Sequence, residues 1–502
     1  MSNAATRSCA YQRRRPELTH CFQIIAGHLN TFISEREAEQ RPLPDYVVKE
    51  FEAYLKCGIL AHGFIRLKCT TCCDEKIVAF SCKKRGFFPS CCAKRMAEAA
   101  THLTQNVLPL VPYRQFVVSF PIPLRYWLHT NKRFASEVFG LVTREIHRHY
   151  LHEAHDAGIV DATPGTICFT QRWGSALNLN PHIHLLCIDG VYTRYGDVAR
   201  FRNLEPISDE EVASLVESIA NLVRSLGIKR GYLGKDGDIV LNPTLDPLFQ
   251  DHESLTAALA ASISGKIAFG PNAGSYVRKI GGGFGYEGEV PLAKGKRCYS
   301  VNGFSLHTNT AVNTHARDRL YKLIEYIARG PLSNDRLEII ANGDVKLALK
   351  TLWSNGTTHL VFTPTEFIEK LVALTPPPRS HLVRWSGVFA PNSPYRKDVT
   401  LRPEIKKGFQ FGDDATEGEK KGEFKNYTWS KMLAQVFKID VTTCPQCGGD
   451  LAKVCAITDP MEARRYLKHL GLDYEPPPRA PPRHEQGEFH FESDDWSREH
   501  LS

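Results

Sequence analysis

Several features of large proteins are missing from this sequence. No apolar run is long enough to cross a membrane, and no apolar core follows the basic residues 13–15, so neither a membrane span nor a secretory signal is predicted. Internal repeats are also absent. The glycine-rich residues 270–290 lack the lysine-serine ending of a phosphate loop, which argues against an ATP site. We therefore expect a cytoplasmic protein with no membrane partner.

Cysteine is plentiful by contrast. The chain has 15 cysteines in 502 residues, and seven of them lie between Cys57 and Cys92. In a cytoplasmic protein, close cysteine spacing indicates metal ligation better than a disulfide framework. Cys69 and Cys72 form half of a tetrahedral zinc site, with free thiols as the alternative.

A second cysteine pair lies near the C-terminus. Cys444 and Cys447 have the same spacing, but only Cys455 follows nearby. A zinc site there would need a ligand from elsewhere, such as His469. A reduced pair in a turn is an equally good interpretation.

Positive charge is clustered along the chain. The formal net charge is +8, and local clusters matter more than that total for a polyanionic partner. Ordinary solvated surface is the alternative. The clusters are Arg13-Arg14-Arg15, Lys83-Lys84-Arg85, Lys94-Arg95 and residues 294–297.

Strand and helix patterns alternate through the middle of the chain. Residues 116–120 and 167–171 read as strands, and Ser208 with Glu211 forms a capping box before a helix that Gly227 would end. A further helix is predicted over 317–329, followed by hairpins turning at Asn342-Gly343 and Asn355-Gly356. These patterns indicate an α+β fold.

The most informative residues are His182 and His184. They lie in the alternating run 179–188, which is typical of a half-buried strand. Residues two apart on a strand point to one face, so both imidazoles would leave the sheet together while Ile183 points away. Such a pair can hold one divalent metal ion, although an isolated His-x-His is more often a pair of packed or surface histidines.

Two further residues complete a candidate site. Gln171 lies on the preceding strand, and a hairpin would bring its amide oxygen beside the histidines as a third ligand for Mg²⁺ or Mn²⁺. Tyr326 lies at the edge of the apolar stripe of its helix, with Lys322 and Arg329 on the same side. A phenol between two cations can meet a phosphate and attack its phosphorus. The alternatives are a solvent-facing glutamine and a tyrosine that covers the core.

These residues occur among an ordered set of motifs. Together they resemble the rolling-circle transposases of the HUH class, in which two histidines flank a hydrophobic residue, and specifically the bacterial insertion-sequence-ninety-one group. The resemblance covers roughly residues 45–470. Its motifs include Cys57-Gly58, Gly63-Phe64, Cys69-x-x-Cys72, Ala79 to Lys83, Arg95-Met96, Arg114-Gln115, Gln171 to Asn180, Gly303 to His307, Glu325 to Pro331 and Arg336-Leu337.

The resemblance implies a role for each matching residue. It implies a nickase of single-stranded DNA at element ends and targets, with His182, His184 and Gln171 holding Mg²⁺ or Mn²⁺. Tyr326 would be the nucleophile that forms a 5′-phosphotyrosine bond. A structural zinc ion would be held by Cys69, Cys72, Cys82 and Cys91. Phosphate contacts are expected from Lys322, Arg329, Lys83, Lys84, Arg85, Lys94 and Arg95.

The implied fold is an HUH endonuclease-like antiparallel sheet with flanking helices, a small N-terminal zinc-binding module and a C-terminal extension. The expected units are a helical region (1–56), a cysteine-rich DNA-binding module (57–110), a catalytic core (111–335), a hairpin-rich extension (336–402), a linker (403–443), a C-terminal cysteine module (444–473) and a disordered tail (474–502).

This chain departs from the group at two positions. Many members carry a second tyrosine where Lys322 stands, so a second transfer step would need Tyr326 again, a DNA 3′-hydroxyl or a second protomer of a homo-oligomer. Phe88 replaces a usual cysteine, which leaves Cys82 or Cys92 to complete the zinc site. A replication initiator or relaxase, and a catalytically dead zinc-dependent DNA-binding protein, are the alternative functions.

Overall fold

The architecture comes from a computed structural model of the chain. It describes residues 15–82, 84, 86–240, 248, 251–281, 295–401 and 443–483. Lys83, Arg85, residues 403–442 of the predicted linker and the predicted tail beyond residue 483 lie outside these ranges, as do residues 282–290 of the glycine-rich segment.

The described chain mixes helices with antiparallel strands. The helices are α1 (His20–Ala38), α2 (Asp45–Lys56), α3 (Pro89–His102), α4 (Ile122–Thr130), α5 (Lys132–Asp156), α6 (Asp209–Lys229), α7 (Glu253–Ile263), α8 (Arg317–Ala328), α9 (Pro364–Leu374), α10 (Arg396–Val399) and α11 (Pro460–His469). The strands are β1 (Phe64–Cys69), β2 (Glu75–Ala79), β3 (Tyr113–Ser119), β4 (Gly165–Trp173), β5 (Leu179–Ile188), β6 (Gly190–Tyr195), β7 (Val198–Asn203), β8 (Arg278–Ile280), β9 (Cys298–Val301), β10 (Phe304–Val312), β11 (Leu337–Ile339), β12 (Val345–Ala348), β13 (His359–Phe362), β14 (Val383–Gly387) and β15 (Leu451–Ile457). The α+β prediction therefore agrees with the architecture.

A six-stranded antiparallel sheet forms the centre of the molecule. Its strand order is β14-β4-β5-β3-β10-β9, so the strand that carries His182 and His184 lies in the middle. The predicted hairpin is present, because β4 and β5 pair with Gln171 opposite His182. A central strand is held on both edges, which fixes the direction of its side chains.

The two faces of this sheet contact different helices. Ile183 and Leu185 point into the larger hydrophobic cluster, which includes side chains of α4, α5 and α6. Leu186 and Ile188 point the other way, into a cluster that contains Leu320, Ile324 and Ile327 of α8. Because side chains alternate along β5, the two histidines share the face that packs against α8.

Most predicted local signals are confirmed. The capping box of α6 has both of its hydrogen bonds, and α8 covers nearly all of the predicted helix. The turn at Asn342-Gly343 joins β11 to β12. The helix end predicted at Gly227 is wrong, because α6 continues to Lys229. Gly227 is a buried residue inside the helix and packs against Leu233, which follows the helix.

Two strands pair with strands from a different expected unit. The division of the chain into units stays a prediction. Strand β14 comes from the expected hairpin-rich extension but is an edge strand of the central sheet, beside β4. Strand β15 comes from the expected C-terminal module but pairs with β1, in a separate sheet of order β15-β1-β2. Among the described helices, none combines the length and apolar character needed to span a bilayer.

Buried histidines make the stability of this fold depend on pH. Burial lowers the pKa of His147 on α5 to about 4, and its Nε2 lies 2.9 Å from the hydroxyl of Thr166. The unfolded state, with a pKa near 6.5, therefore binds more protons between about pH 6.5 and pH 4. Stability is full above that window and falls as the pH drops through it.

We expect the free energy of unfolding, measured by urea titration, to fall between pH 7 and pH 5. His147→Gln should remove on the order of 1 kcal/mol of that loss. His155→Gln, at an exposed position of the same helix, serves as the control and should leave the slope unchanged. Equal pH slopes in wild type and His147→Gln would contradict the explanation.

Candidate functional site

The two histidines lie side by side on the face of the sheet that meets α8. The centroids of the His182 and His184 rings are 5.0 Å apart. Nδ1 of His182 donates to the carbonyl oxygen of Asn180 at 2.8 Å, which leaves its Nε2 lone pair for another partner. This arrangement of a backbone-anchored imidazole is typical of metal-binding histidines.

Both imidazoles are held in the neutral form. Burial, with smaller contributions from the positive charges of Arg329 and Arg125, lowers the pKa of His182 to about 4, although the hydrogen bond to Asn180 acts in the opposite direction. Burial also lowers the pKa of His184 well below its usual value, with His182 and Arg329 as additional causes. Because only neutral imidazole binds a metal ion, both side chains are ready to act as ligands near neutral pH.

Several buried polar atoms at this site have no hydrogen-bond partner among the described residues. They include two possible metal donors, Nε2 of His184 and Oε1 of Gln171. His184 is only 3% exposed and Gln171 only 2%, so neither atom is satisfied by bulk water. Buried polar atoms nearly always have a hydrogen-bond partner. A nitrogen and an oxygen that lack one, next to the second imidazole, would fit the donor set of a bound divalent cation.

Gln171 also fastens the end of α8. Its Nε2 donates to the carbonyl oxygens of Tyr326 at 3.3 Å and Ile327 at 2.5 Å. Carbonyls in the last turn of a helix have no partner within the helix, so the amide group caps them. One glutamine thus ties the tyrosine helix to the histidine sheet and directs its oxygen into the site.

Tyr326 lies directly beside the histidines. Its ring meets the ring of His184 edge to face, with the centroids 6.2 Å apart. The guanidinium of Arg329 lies 4.2 Å from the centre of the tyrosine ring. The tyrosine is 49% exposed, so a ligand from solvent can reach it. Residues more than 140 positions apart are therefore brought together as the sequence predicts.

Helix α8 also carries Lys322, a predicted phosphate contact, and a second tyrosine, Tyr321. Lys322 is exposed one turn before Tyr326, as expected from its helical position. Tyr321 is partly buried and packs against the hydrophobic cluster under α8. The ring in contact with the histidines is that of Tyr326.

The four cysteines predicted from the sequence to hold one zinc ion, Cys69, Cys72, Cys82 and Cys91, lie in two separate groups. Cys69 and Cys72 meet Cys444 and Cys447, whereas Cys82 and Cys91 meet Cys57. Phe88 is buried and stacks on Phe87, with ring centroids 5.1 Å apart, so it belongs to the core. Cys92 is not a replacement, because its thiol donates to the carbonyl oxygen of Gly86.

The cluster of Cys57, Cys82 and Cys91 has close sulfur contacts. Sγ of Cys91 lies 3.4 Å from Sγ of Cys57 and 3.5 Å from Sγ of Cys82. The hydroxyl of Ser81 lies 3.4 Å from the same sulfur. Within the described part of the chain, no fourth cysteine joins them. Three thiols and a hydroxyl can still surround one soft cation.

Two of the basic residues predicted to contact phosphates near the cysteines already form ion pairs within the protein. Lys84 forms an ion pair with Glu50 at 3.4 Å, and Lys94 pairs with Glu98 at 3.6 Å one helical turn away. Lys94 and Arg95 lie on α3, which packs against α8. The cysteine module therefore contacts the helix that carries Tyr326.

Three polar residues at the site were not assigned a role from the sequence. The amide of Gln115 lies 2.7 Å from Nδ1 of His184, and a glutamine can serve either tautomer of that ring. Arg125 adds positive charge near His182. Burial lowers the pKa of Lys350 to about 8, with Arg329 and Arg336 as further causes. The Arg114-Gln115 motif at the start of the strand was the available signal for Gln115.

Two family models match the chain. A transposase model, Y2_Tnp, matches residues 165–397, and a transposase zinc-binding domain model, Zn_Tnp_IS91, matches residues 24–120. The first range contains both histidines and Tyr326, and the second contains the cysteine-rich segment. No curated protein and no solved structure matches the chain.

If the orphaned oxygen of Gln171 is a metal ligand, Gln171→Ala should weaken Mn²⁺ binding by at least about tenfold, as measured by electron paramagnetic resonance titration of free Mn²⁺. Gln171→Glu keeps an oxygen donor but loses the N–H that caps α8. It should therefore retain Mn²⁺ binding while unfolding more easily. Unchanged Mn²⁺ affinity in Gln171→Ala would remove this residue from the ligand set.

Proposed function

Because the chain belongs to the IS91-type transposases with an N-terminal zinc-binding domain, we propose that it nicks and joins single-stranded DNA through a covalent bond to Tyr326. The observation that carries this proposal is the contact between the Tyr326 ring and His184, the buried member of a neutral histidine pair. The substrate would be the ends and targets of an insertion sequence that moves by a rolling-circle mechanism.

The proposed reaction is a transesterification. The phenol oxygen of Tyr326 attacks a backbone phosphorus, and the bond from phosphorus to the 3′ oxygen breaks. The phenol loses its proton and the departing 3′ oxygen gains one, leaving a 5′-phosphotyrosine and a free 3′-hydroxyl. A 3′-hydroxyl then attacks the phosphotyrosine bond and restores Tyr326. Since the number of phosphoester bonds is conserved, no ATP is consumed.

Two imidazole nitrogens and one amide oxygen could hold a divalent cation at the site. His182, His184 and Gln171 would hold Mg²⁺ or Mn²⁺, which when bound would neutralise charge on the scissile phosphate. The protein's own groups do the rest. Arg329 lies against the Tyr326 ring and attracts the phosphate, and Gln171 keeps the end of α8 close to the sheet.

An HUH-type core is the arrangement that best accommodates these groups. The histidines occupy the central strand of an antiparallel sheet, and the tyrosine helix packs on the same face. We assign residues 111–335 to this core, with β14 completing its edge. The cysteine-rich module would grip the DNA backbone through Lys84, Lys94 and Arg95, which lie on or near α3.

The site has a single tyrosine, which limits how a second strand transfer can occur. Lys322 stands one helical turn before Tyr326 and supplies charge where a second phenol would otherwise lie. Reuse of Tyr326 after its release would allow a second transfer in one protomer. A second protomer of a homo-oligomer would be the other source of a tyrosine.

The test of the nucleophile is the adduct itself. With labelled single-stranded DNA from the element end and Mn²⁺, the wild-type protein should form a covalent DNA adduct. Tyr326→Phe should abolish it, because the attacking oxygen is gone. Tyr321→Phe, on the same helix but partly buried against the hydrophobic cluster, should retain it. Tight DNA binding without an adduct from wild type would support a non-catalytic DNA-binding protein instead.

Loss of a histidine should separate chemistry from binding. His182→Ala and His184→Ala should each reduce nicking by more than about a hundredfold, since the imidazoles hold the cation that acts on the phosphate. DNA affinity, measured by fluorescence anisotropy, should change little because the basic residues remain. Parallel losses of affinity and nicking would contradict the assignment.

A further inference from the structure

Four cysteines from opposite ends of the chain converge on one point. Sγ of Cys69 lies 3.5 Å from Sγ of Cys447, and Sγ of Cys72 lies 3.6 Å from Sγ of Cys444. All four sulfurs lie within 4.8 Å of one another. A tetrahedral zinc ion with bonds of about 2.3 Å needs sulfurs separated by roughly 3.8 Å, so the cluster has the required size.

The two cysteine pairs lie in turns of the same construction. The N–H of Cys69 donates to the carbonyl of Asp74 at 2.8 Å, and the N–H of Cys444 donates to that of Gly449 at 2.7 Å. Each bond spans five residues. In each turn the residue after the second cysteine has a positive φ, 61° at Cys73 and 74° at Gly448. Two equivalent turns therefore present their sulfurs to each other.

Backbone amides support thiolates in both turns. Sγ of Cys69 accepts from the N–H of Thr71 at 3.4 Å and of Cys72 at 3.5 Å. Sγ of Cys447 accepts from the N–H of Gly449 at 3.4 Å. Hydrogen bonds to sulfur favour the charged form that metals bind. A donor set of four thiolates, without oxygen or nitrogen ligands, suits zinc.

The turns also fit closely against each other. A Cβ atom at Gly449 would lie 2.9 Å from Cβ of Thr71, so no larger residue fits there without a shift. The N–H of Thr70 donates to the carbonyl of Asp450 at 2.9 Å. The cysteine pairs are thus placed together by packing and backbone hydrogen bonds as well as by their sulfurs.

The contact continues away from the cysteines. Strand β15 begins two residues after Gly449 and pairs antiparallel with β1, starting with Leu451 opposite Cys69. Helix α11 follows and buries Ala463 and Leu467 against Leu60 and Phe64. This apolar cluster is small, so it supplies little stability of its own to a junction between the two ends of the chain.

We propose that Cys69, Cys72, Cys444 and Cys447 bind one structural zinc ion, which fastens the C-terminal segment 443–470 to the N-terminal cysteine module. The matched zinc-binding domain covers residues 24–120 and contains only the first pair. The site closes a loop of more than 370 residues, so metal binding offsets a large loop-closure entropy. The inference does not depend on the chemistry at Tyr326.

Thiol alkylation of the intact zinc-loaded protein tests this proposal directly. Cys72, Cys447 and Cys73 are all exposed, but only the first two lie in the cluster. N-ethylmaleimide should modify Cys73 at least about tenfold faster than Cys72 and Cys447, as read by peptide mass. After zinc chelation, all four cluster cysteines should become reactive together. Equal rates for Cys73 and Cys72 with zinc bound would overturn the proposal.

A double variant tests the link between the two ends. Cys444→Ser with Cys447→Ser should lower the zinc content by one ion per chain and expose the distant Cys69 and Cys72 to alkylation. Cys73→Ser is the matched control and should change neither. Protection of Cys69 and Cys72 that survives in the double variant would contradict a shared site.

Spectroscopy distinguishes this site from the other cysteine cluster. A variant with Cys57→Ser and Cys82→Ser lacks the three-cysteine cluster, and its Co²⁺-loaded form should still show the absorption bands of a tetrahedral tetrathiolate. Loss of those bands in that folded variant would overturn the assignment. So would a wild-type protein that lacks zinc and carries disulfides at these four positions.

Discussion

The hydrogen bonds from Gln171 to the last carbonyls of α8 are the constraint on which the site depends. They join a sheet strand to the helix that carries Tyr326, and they leave the amide oxygen of the same residue buried beside two neutral histidines. A carboxylate could supply the oxygen but not the donor, and an apolar residue could supply neither. The glutamine therefore explains how the histidine pair and Tyr326, which are distant in sequence, are held close together.

Much of this site follows from local rules. Alternation along β5 was sufficient to place both imidazoles on one face, and the hairpin pattern was sufficient to place Gln171 opposite His182. The apolar stripe of α8 placed Tyr326 at its edge. Local rules could not predict the contacts between elements that are distant in sequence. Nothing in the sequence indicated that Gln115 would contact His184, or that α3 would pack on α8.

The cysteines also show that spacing in the sequence does not reveal which distant residues meet. Spacing identified each half-site, but it could not say which halves meet. Phe88 looked like a missing ligand, although its ring fills the core against Phe87, and the pairs that do meet are separated by more than 370 residues. Close packing also connects the N-terminal cysteine module to the helix that carries Tyr326: a Cβ atom at Gly330, just beyond α8, would lie 2.6 Å from Cβ of Cys92 on α3. The tyrosine helix is thus braced by the cysteine-rich module on one side and by the histidine sheet on the other.

The mass of the DNA-linked peptide is the most direct measurement of the central claim. Trypsin cuts after Arg319, Lys322 and Arg329, so Tyr321 falls in the peptide 320–322 and Tyr326 in the peptide 323–329. After reaction with single-stranded element-end DNA and nuclease digestion, the nucleotide mass should be found on 323–329. A nucleotide on any other tyrosine peptide would contradict the account.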